Sequence, residues 1–288
     1  MGLIEALILG LVQGLTEFLP ISSTAHVRIL PALLGWPDPG AAFTAVIQLG
    51  TLLAVLIFFR TDLWRAAKGW VLSFGDPEAR ATPEARMGWA IFFGTIPIVV
   101  FGLLFKNQIE TSLRSLNVIA WALVGMGLLL LLAERIPNRR RGIETVRIRD
   151  GLLVGIWQAL ALIPGASRSG STITGALLAG FDRSTAARFS FLLSVPAIAA
   201  AAVLSLKEHR EVLMGPQLPA VLVANVAAFV SGYAAIAFLI RFLQTRSVLV
   251  FVVYRVLLGL VILILLAQGV LHPYEGAAIT PVSRSGME

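Results

Sequence analysis

The chain contains no cysteine and only three histidines in 288 residues. The absence of cysteine excludes disulfide bonds, iron–sulfur clusters and thiol chemistry, and it leaves the cellular compartment open. Charged side chains are also scarce, because they make up 14% of the residues, against about a quarter in soluble domains of average composition. This low charge content argues against a soluble protein.

Apolar residues fill most of the chain instead. They make up 57% of the residues, and the mean hydropathy is +0.86. The net charge of +7 would suit a nucleic-acid partner, but the basic residues are scattered over loops between apolar runs and fit orientation signals in a membrane better. We therefore predict one all-α integral membrane domain over residues 1–288. Its expected partner is the bilayer, and no nucleic-acid partner is expected.

Six apolar runs are long enough to cross a bilayer. They lie near residues 42–59, 88–105, 116–133, 189–206, 219–240 and 248–268. The loops 60–86 and 134–150 are rich in arginine, and the first of them carries Trp64 and Trp70, which suit an interfacial helix. The tail 271–288 is polar enough to be free.

Two shorter apolar pairs are interrupted by polar residues. The first pair, 3–19 and 22–35, breaks at Pro20, because proline has no N–H to donate and the residue before it avoids the helical region. Polar groups in such surroundings cost several kcal/mol each unless something binds them. The break is flanked by five polar side chains, which predict a site inside the membrane: Gln13, Glu17, Ser22, Ser23 and His26.

The second pair, 151–164 and 168–180, contains an arginine among hydroxyls and glycines. An arginine in the middle of an apolar region is expensive and seldom idle. The planar fork of Arg168 matches phosphate oxygens, and the N-terminus of the helix that follows adds free N–H groups, with Ser169 as its expected cap. The segment predicts an anion site, and we expect Arg168 to pair with Glu17 when no anion is bound.

The two pairs follow the same order of events. Gly10-Leu-Val-Gln13 aligns with Gly155-Ile-Trp-Gln158, and in both pairs a proline break, a serine-containing turn, a short helix and a full span come next. This order predicts a duplication, in which three full spans separate two re-entrant pairs and so invert the repeats. Repeat 1 is predicted to run from about residue 3 to 133 and to contain the re-entrant pair 3–35. Repeat 2 is predicted to run from about 151 to 268 and to contain the re-entrant pair 151–180.

The basic residues predict the orientation of this arrangement. The side that holds the loops 60–86 and 134–150 carries fifteen of the 23 Lys and Arg residues, so it is cytoplasmic by the positive-inside rule. The first re-entrant pair then opens to the outside, where we expect Arg28 to lie near the entrance and attract an anionic head group.

These motifs resemble those of the bacterial undecaprenyl-diphosphate phosphatases of the BacA type. That family carries Glu/Gln-x-x-x-Glu followed by Pro-x-Ser-Ser and a histidine, and here the segment from Gln13 to His26 has that form. The family's second motif, Pro-Gly-x-Ser-Arg-Ser-Gly-x-Thr, is matched in full from Pro164 to Thr172. The resemblance covers nearly the whole chain and includes the Tyr254-Arg255 pair. The sequence departs from the common family pattern at two positions. Gln13 is uncharged, so a metal bound there would have one anionic ligand fewer, and Ala25 stands where many relatives have glycine.

The resemblance implies hydrolysis of undecaprenyl diphosphate to the monophosphate and phosphate in the bacterial inner membrane, toward the outer face. This reaction recycles the lipid carrier for cell-wall synthesis and accompanies bacitracin resistance. Glu17 with Gln13 would bind Mg²⁺ or Ca²⁺, since hard cations prefer oxygen. Ser23 would be the nucleophile and His26 its base and then acid. The phosphoryl oxygens would be held by Arg168 with six further residues: Ser22, Gly165, Ser167, Ser169, Gly170 and Thr172.

Several alternatives stay open at this stage. Water activated by His26 would replace Ser23 as the attacking group, and a transporter or flippase of a polyprenyl-phosphate lipid would also use inverted repeats and Arg168. Arg255 either extends to the cytoplasmic interface or pairs inside the bundle. A homodimer is compatible with the sequence.

Overall fold

The computed structural model describes residues 1–136, 139–213 and 215–274. Within these ranges the chain is helical and contains no β-strand. Two short 3₁₀ turns, Ser112–Arg114 and Ile143–Thr145, supplement the α-helices. The α-helices in chain order are α1 Leu3–Phe18, α2 Ser23–Leu34, α3 Gly40–Val46, α4 Gln48–Phe58, α5 Arg60–Leu72, α6 Pro77–Arg80, α7 Pro83–Leu104, α8 Lys106–Glu110, α9 Leu116–Arg135, α10 Ile148–Leu160, α11 Arg168–Leu178, α12 Arg183–Glu208, α13 Arg210–Leu213, α14 Leu218–Thr245 and α15 Leu249–Ala267.

Among the described residues, six helical segments are long and apolar enough to cross a membrane. They are Gly40–Phe58, which joins α3 and α4, and the helices α7, α9, α12, α14 and α15. Each coincides with one of the predicted runs, so the prediction of a multi-pass all-α membrane protein is confirmed. The four short helices α1, α2, α10 and α11 fill the positions of the two interrupted pairs.

Local chemistry explains how the interrupted pairs are broken. α1 ends at Phe18, one residue before Leu19-Pro20, and Leu19 is extended. Ser22 and Ser167 each cap the helix that follows, and their hydroxyls accept hydrogen bonds from Ala25 N at 3.3 Å and Gly170 N at 3.1 Å. Both serines have a positive φ, 75° and 71°. The cap of α11 is therefore Ser167. The prediction from the sequence, Ser169, was wrong.

The short helices α1 and α10 pack closely on long helices from the other half of the chain. A Cβ on Gly10 of α1 would lie 2.3 Å from Ala224 O in α14, and a Cβ on Gly155 of α10 would lie 2.3 Å from Gly94 O in α7. Phe18 at the end of α1 reaches Gly232, near the middle of α14. The first break therefore lies deep within the bundle.

Two segments outside the predicted spans are ordered, and the second of them was expected to be free. Most of the loop 60–86 is helical, and Trp70 of α5 packs on Trp89 and Phe92 of α7, while Trp64 is 70% exposed, as an interfacial residue would be. The beginning of the tail 271–288 is also packed, because Leu271 is buried and Pro273 O accepts a hydrogen bond from Leu116 N. Residues 275–288 lie outside the described residues.

Candidate active site

The two breaks meet at the carboxylate of Glu17. Its Oε2 accepts hydrogen bonds from Gln13 Nε2 at 2.7 Å and from Ser23 Oγ at 2.5 Å. Its Oε1 forms a hydrogen-bonded ion pair with Nη2 of Arg168, which starts α11. The same Nη2 donates to Gln48 Oε1 at 2.9 Å. Residues separated by up to about half the chain thus form one hydrogen-bonded cluster, and the predicted Glu17–Arg168 pair is confirmed.

The cluster is withdrawn from solvent but is not sealed. The side chains of Glu17 and Arg168 are 4% and 15% exposed, so their charges face a low-dielectric environment in which each needs the other. Because Arg168 has further donors on its guanidinium fork, an anion that enters can bind it without first breaking the pair with Glu17. The pair therefore prepares the site for an anion.

A cavity of about 550 Å³ leads away from this cluster between α3, α7 and α12. Five of the predicted site residues line it, namely Glu17, Ser23, Gly165, Ser167 and Arg168. Its other end is lined by charged and titratable side chains at helix ends, namely Lys106, Arg114, Glu208 and His209. Lys106 and Glu208 form an ion pair there at 2.5 Å. The cavity is thus polar at both ends and has apolar walls between them.

His26 lies beside the cluster and contacts other partners. Its Nδ1 is 2.7 Å from Ser22 O, and its Nε2 is 2.7 Å from the hydroxyl of Tyr254, on whose ring it stacks. The hydroxyl of Ser23 is instead bonded to Glu17. The structure therefore places a carboxylate, rather than the predicted imidazole, at the hydroxyl of Ser23.

The remaining predicted residues hold the second break in shape. Ser169 Oγ donates to Leu19 O at 2.9 Å, which joins the two breaks directly. Thr172 Oγ1 is bonded to Arg168 O at 2.7 Å and to Ser190 Oγ at 2.5 Å. Gly170 N is used by the cap. These groups are engaged with protein atoms and do not line the cavity.

Arg255 joins both breaks to the rest of the bundle. Its side chain is fully buried, and it donates to four main-chain carbonyl oxygens at 2.9–3.2 Å, those of Leu123, Pro20, Gly165 and Ala166. The alternative in which it pairs inside the bundle is confirmed, with backbone oxygens as its partners. Because Pro20 and Gly165 belong to different breaks, one guanidinium fixes their separation.

Arg28 lies beside the charged end of the cavity but does not line it, so it is not exposed to an incoming head group as was expected. Its side chain is 1% exposed and lies 3.4 Å from Asp38, which is 4% exposed. Asp38 also accepts two hydrogen bonds from Arg114, at 2.8 and 3.0 Å. Arg114, and not Arg28, therefore brings positive charge to the lining of the cavity.

Two residues of the site were missed in the sequence. Gln48 contacts Arg168 and lines the cavity. The feature that could have identified it is its carboxamide, which stands alone inside the predicted apolar span 42–59. Tyr254 was noticed only as part of the Tyr254-Arg255 pair. Its contact with His26 joins residues 228 apart, and no local pattern marks a contact of that kind.

The donors around Glu17 fit a hard divalent cation in part. Gln13 Oε1 is buried and has no hydrogen-bond partner among the described residues, and it belongs to the side chain that bonds Glu17. Carboxylate and carboxamide oxygens are ligands that Mg²⁺ and Ca²⁺ prefer. The described residues hold no group of three or more His, Cys, Asp or Glu side chains suited to a metal. A cation at this point would therefore take its other ligands from substrate and water.

Comparison with known proteins agrees with the motifs. Residues 6–261 match the family described as "Bacitracin resistance protein BacA". An undecaprenyl-diphosphatase of Myxococcus xanthus is 53% identical over 276 residues, which cover 96% of this chain and 93% of the relative. An undecaprenyl-diphosphatase of Chlorobium chlorochromatii is 55% identical over 282 residues, covering 95% of this chain and 100% of the relative.

Proposed function

This chain belongs to the bacitracin resistance protein BacA family, and from that premise we propose that it hydrolyses undecaprenyl diphosphate to undecaprenyl phosphate and phosphate in the bacterial plasma membrane. The observation that carries the proposal is the Ser23–Glu17–Arg168 cluster at the deep end of the cavity. It joins a hydroxyl, a carboxylate that can accept its proton and a guanidinium that can hold phosphoryl oxygens.

The roles follow from the contacts. Arg168 binds the terminal phosphoryl group through the donors that Glu17 and Gln48 leave free, aided by the N-terminus of α11. Ser23 Oγ attacks the terminal phosphorus and passes its proton to Glu17 Oε2, 2.5 Å away. The phosphorus–oxygen bond to the lipid phosphate breaks, and undecaprenyl phosphate leaves. Water then cleaves the phosphoserine and yields inorganic phosphate and free Ser23.

His26 has a different place in this scheme from the one the sequence suggested. In the arrangement described it orients Ser22 O, next to Ser23, and is itself oriented by Tyr254. Proton transfer through His26 requires its ring to turn away from Tyr254. Direct attack by water, with Ser23 only positioning it, is the competing mechanism and is distinguished by a Ser23 variant.

Glu17 and Gln13 would hold the divalent cation, Mg²⁺ or Ca²⁺. When bound, such an ion supplies positive charge that offsets the charge developing on the diphosphate oxygens. The buried, unpaired Gln13 Oε1 supports this assignment.

We further propose that the interrupted pairs are re-entrant and that the two halves are inverted repeats. Ser22 and Ser167 cap equivalent helices with the same unusual φ. The glycine packing is also exchanged between the halves, since α1 lies on α14 while α10 lies on α7. Such inverted pairs meet near the midplane. The cavity then opens at the side of Lys106 and Arg114, which the distribution of basic loops makes the outer face.

The direct test is phosphate release from undecaprenyl diphosphate by the purified protein in detergent, with and without a chelator. We expect release that is lost with chelator and restored by Mg²⁺ or Ca²⁺. Undiminished release in chelator would remove the cation from the scheme. Absence of release, together with movement of the lipid across vesicle membranes, would favour the flippase instead.

A further inference from the structure

A second cavity, of about 580 Å³, adjoins the first one and is almost entirely apolar. It is a groove between α5, α7 and α12, and its walls include Ala66, Trp70, Phe92 and Leu192. The hydroxyl of Thr95, which also lines it, is already bonded to Ile91 O at 2.7 Å. The groove therefore offers no free hydroxyl to a polar ligand and suits a hydrocarbon.

The two cavities meet between α7 and α12. Val99 and Ala200 line both of them. Both helices contain a proline at this level, Pro97 in α7 and Pro196 in α12, and a proline inside a helix removes one backbone hydrogen bond. The small side chain of Ala200 adds space at the junction. A molecule can thus occupy the polar cavity with one end and the groove with the other.

The groove also runs in a direction that suits such a molecule. Along α7 it extends from Val100 back to Gly88, whereas the charged end of the polar cavity lies beyond Leu104, at Lys106. Starting from the Ser23–Arg168 cluster, the path toward charge and the path toward hydrocarbon diverge. Only a ligand with an anionic head and a long apolar chain matches both paths.

We propose that this groove binds the first isoprene units of the substrate's lipid chain, while the diphosphate occupies the polar cavity. This inference rests on the proposed function, because it assigns the chain of the same substrate. The groove aligns the substrate before reaction, and because the chain comes from the bilayer and not from water, van der Waals packing in the groove contributes to binding.

A bulky side chain at the junction tests the proposal. Ala200→Phe fills the passage, and Val203→Phe, on the same helix and 62% exposed but lining neither cavity, is the matched control. We expect Ala200→Phe to lower kcat/KM for undecaprenyl diphosphate by about tenfold more than for dimethylallyl diphosphate, whose single isoprene unit is too short to fill the groove. Val203→Phe should leave both values unchanged. An equal fall for both substrates, or no fall, would contradict the groove.

A second measurement does not depend on a folded variant or on turnover. An undecaprenyl diphosphate analogue with a photoreactive group on its isoprenoid chain, close to the head group, is irradiated with the wild-type protein. We expect cross-links on α7 and α12 between Thr95 and Val100 and near Ala200. Cross-links confined to other lipid-facing surfaces, such as Leu257 of α15, would overturn the proposal. Wild-type protein that cross-links in the groove but releases no phosphate would refute the proposed function and leave the groove intact.

Discussion

At the scale of single residues, Arg168 combines a charge with a shape. Its guanidinium bonds Glu17 and Gln48 through one nitrogen and keeps other donors for an anion. Lysine would preserve the charge but lose the planar fork. We expect Arg168→Lys to lower phosphate release by about tenfold or more, with exposed Arg246→Lys as the control. Full activity of Arg168→Lys would mean that this residue acts only as a distant charge or as a partner for Glu17.

The carboxylate of Glu17 supplies the opposing charge. Glu17→Gln keeps the size of the side chain but leaves a buried guanidinium without its anion, which costs about 3–5 kcal/mol in comparable buried pairs. We expect lower thermal stability of the purified variant as well as lower turnover, and phosphate or diphosphate should restore part of the stability by replacing the lost anion. A variant with unchanged stability that gains nothing from either anion would show that the pair is unimportant.

The site residues were predictable where polarity stood out against an apolar background. Gln13, Glu17, Ser23 and Arg168 do so, and they form one cluster. The partners within the site were harder to predict. Ser23 and His26 are three residues apart on α2, yet Ser23 bonds Glu17 while His26 bonds Tyr254, and both contacts depend on the placement of α2, which begins after the positive φ of Ser22. Such a backbone conformation has no signal in serine itself.

At the scale of helices, close packing by glycine holds the short helices in place. Gly10 contacts the backbone of Ala224 so closely that an added Cβ would lie 2.3 Å from its oxygen, whereas Gly125 in α9 has nothing within 4 Å. Gly10→Ala should lower stability by about 1–3 kcal/mol through overpacking. Gly125→Ala should be neutral or slightly stabilising. Thermal unfolding in detergent distinguishes the two, and equal midpoints would contradict the close packing of α1 on α14.

Arg255 acts at the same scale, because it joins elements instead of contacting the cavity. Arg255→Met has a similar length but removes the side-chain donor from four buried carbonyl oxygens, of which only Leu123 O, inside α9, keeps a helical partner. We expect a loss of about 3 kcal/mol or more in stability, and Arg246→Met serves as the exposed control. If both variants unfold at the same temperature, the breaks are held by other contacts.

The sequence predicts where the helices begin and end better than it predicts which groups they contact. The spans could be predicted because apolar length and helix breakers act locally, as at Leu19-Pro20 before the second helix. The partners of Arg255 could not, because main-chain oxygens are present at every residue and only the fold selects four of them. The loop 60–86 was predicted to contain an interfacial helix at Trp64 and Trp70, but the packing of Ala66 and Trp70 of α5 against α7 has no local signal in the sequence.

At the scale of the whole molecule, orientation decides which leaflet supplies the substrate. Gln108 and Arg140 are exposed near opposite ends of the bundle, and the chain has no native cysteine. Gln108→Cys should react with an impermeant thiol reagent in intact cells, and Arg140→Cys only after lysis. Asp38 is unsuitable for this purpose because it is buried between Arg28 and Arg114. Labelling of Arg140→Cys in intact cells would reverse the orientation and turn the cavity toward the cytoplasm.

The central claim is that phosphoryl chemistry takes place at Ser23. Ser205 lines the same cavity, and its hydroxyl donates to Ala42 O at 3.3 Å, so Ser205→Ala is a matched control for Ser23→Ala. The deciding measurement is phosphate release from undecaprenyl diphosphate by both variants, with lipid binding measured in parallel. We predict that Ser23→Ala binds the lipid but loses about a thousandfold or more in turnover, while Ser205→Ala stays near wild type. Turnover of Ser23→Ala equal to that of Ser205→Ala would contradict the account.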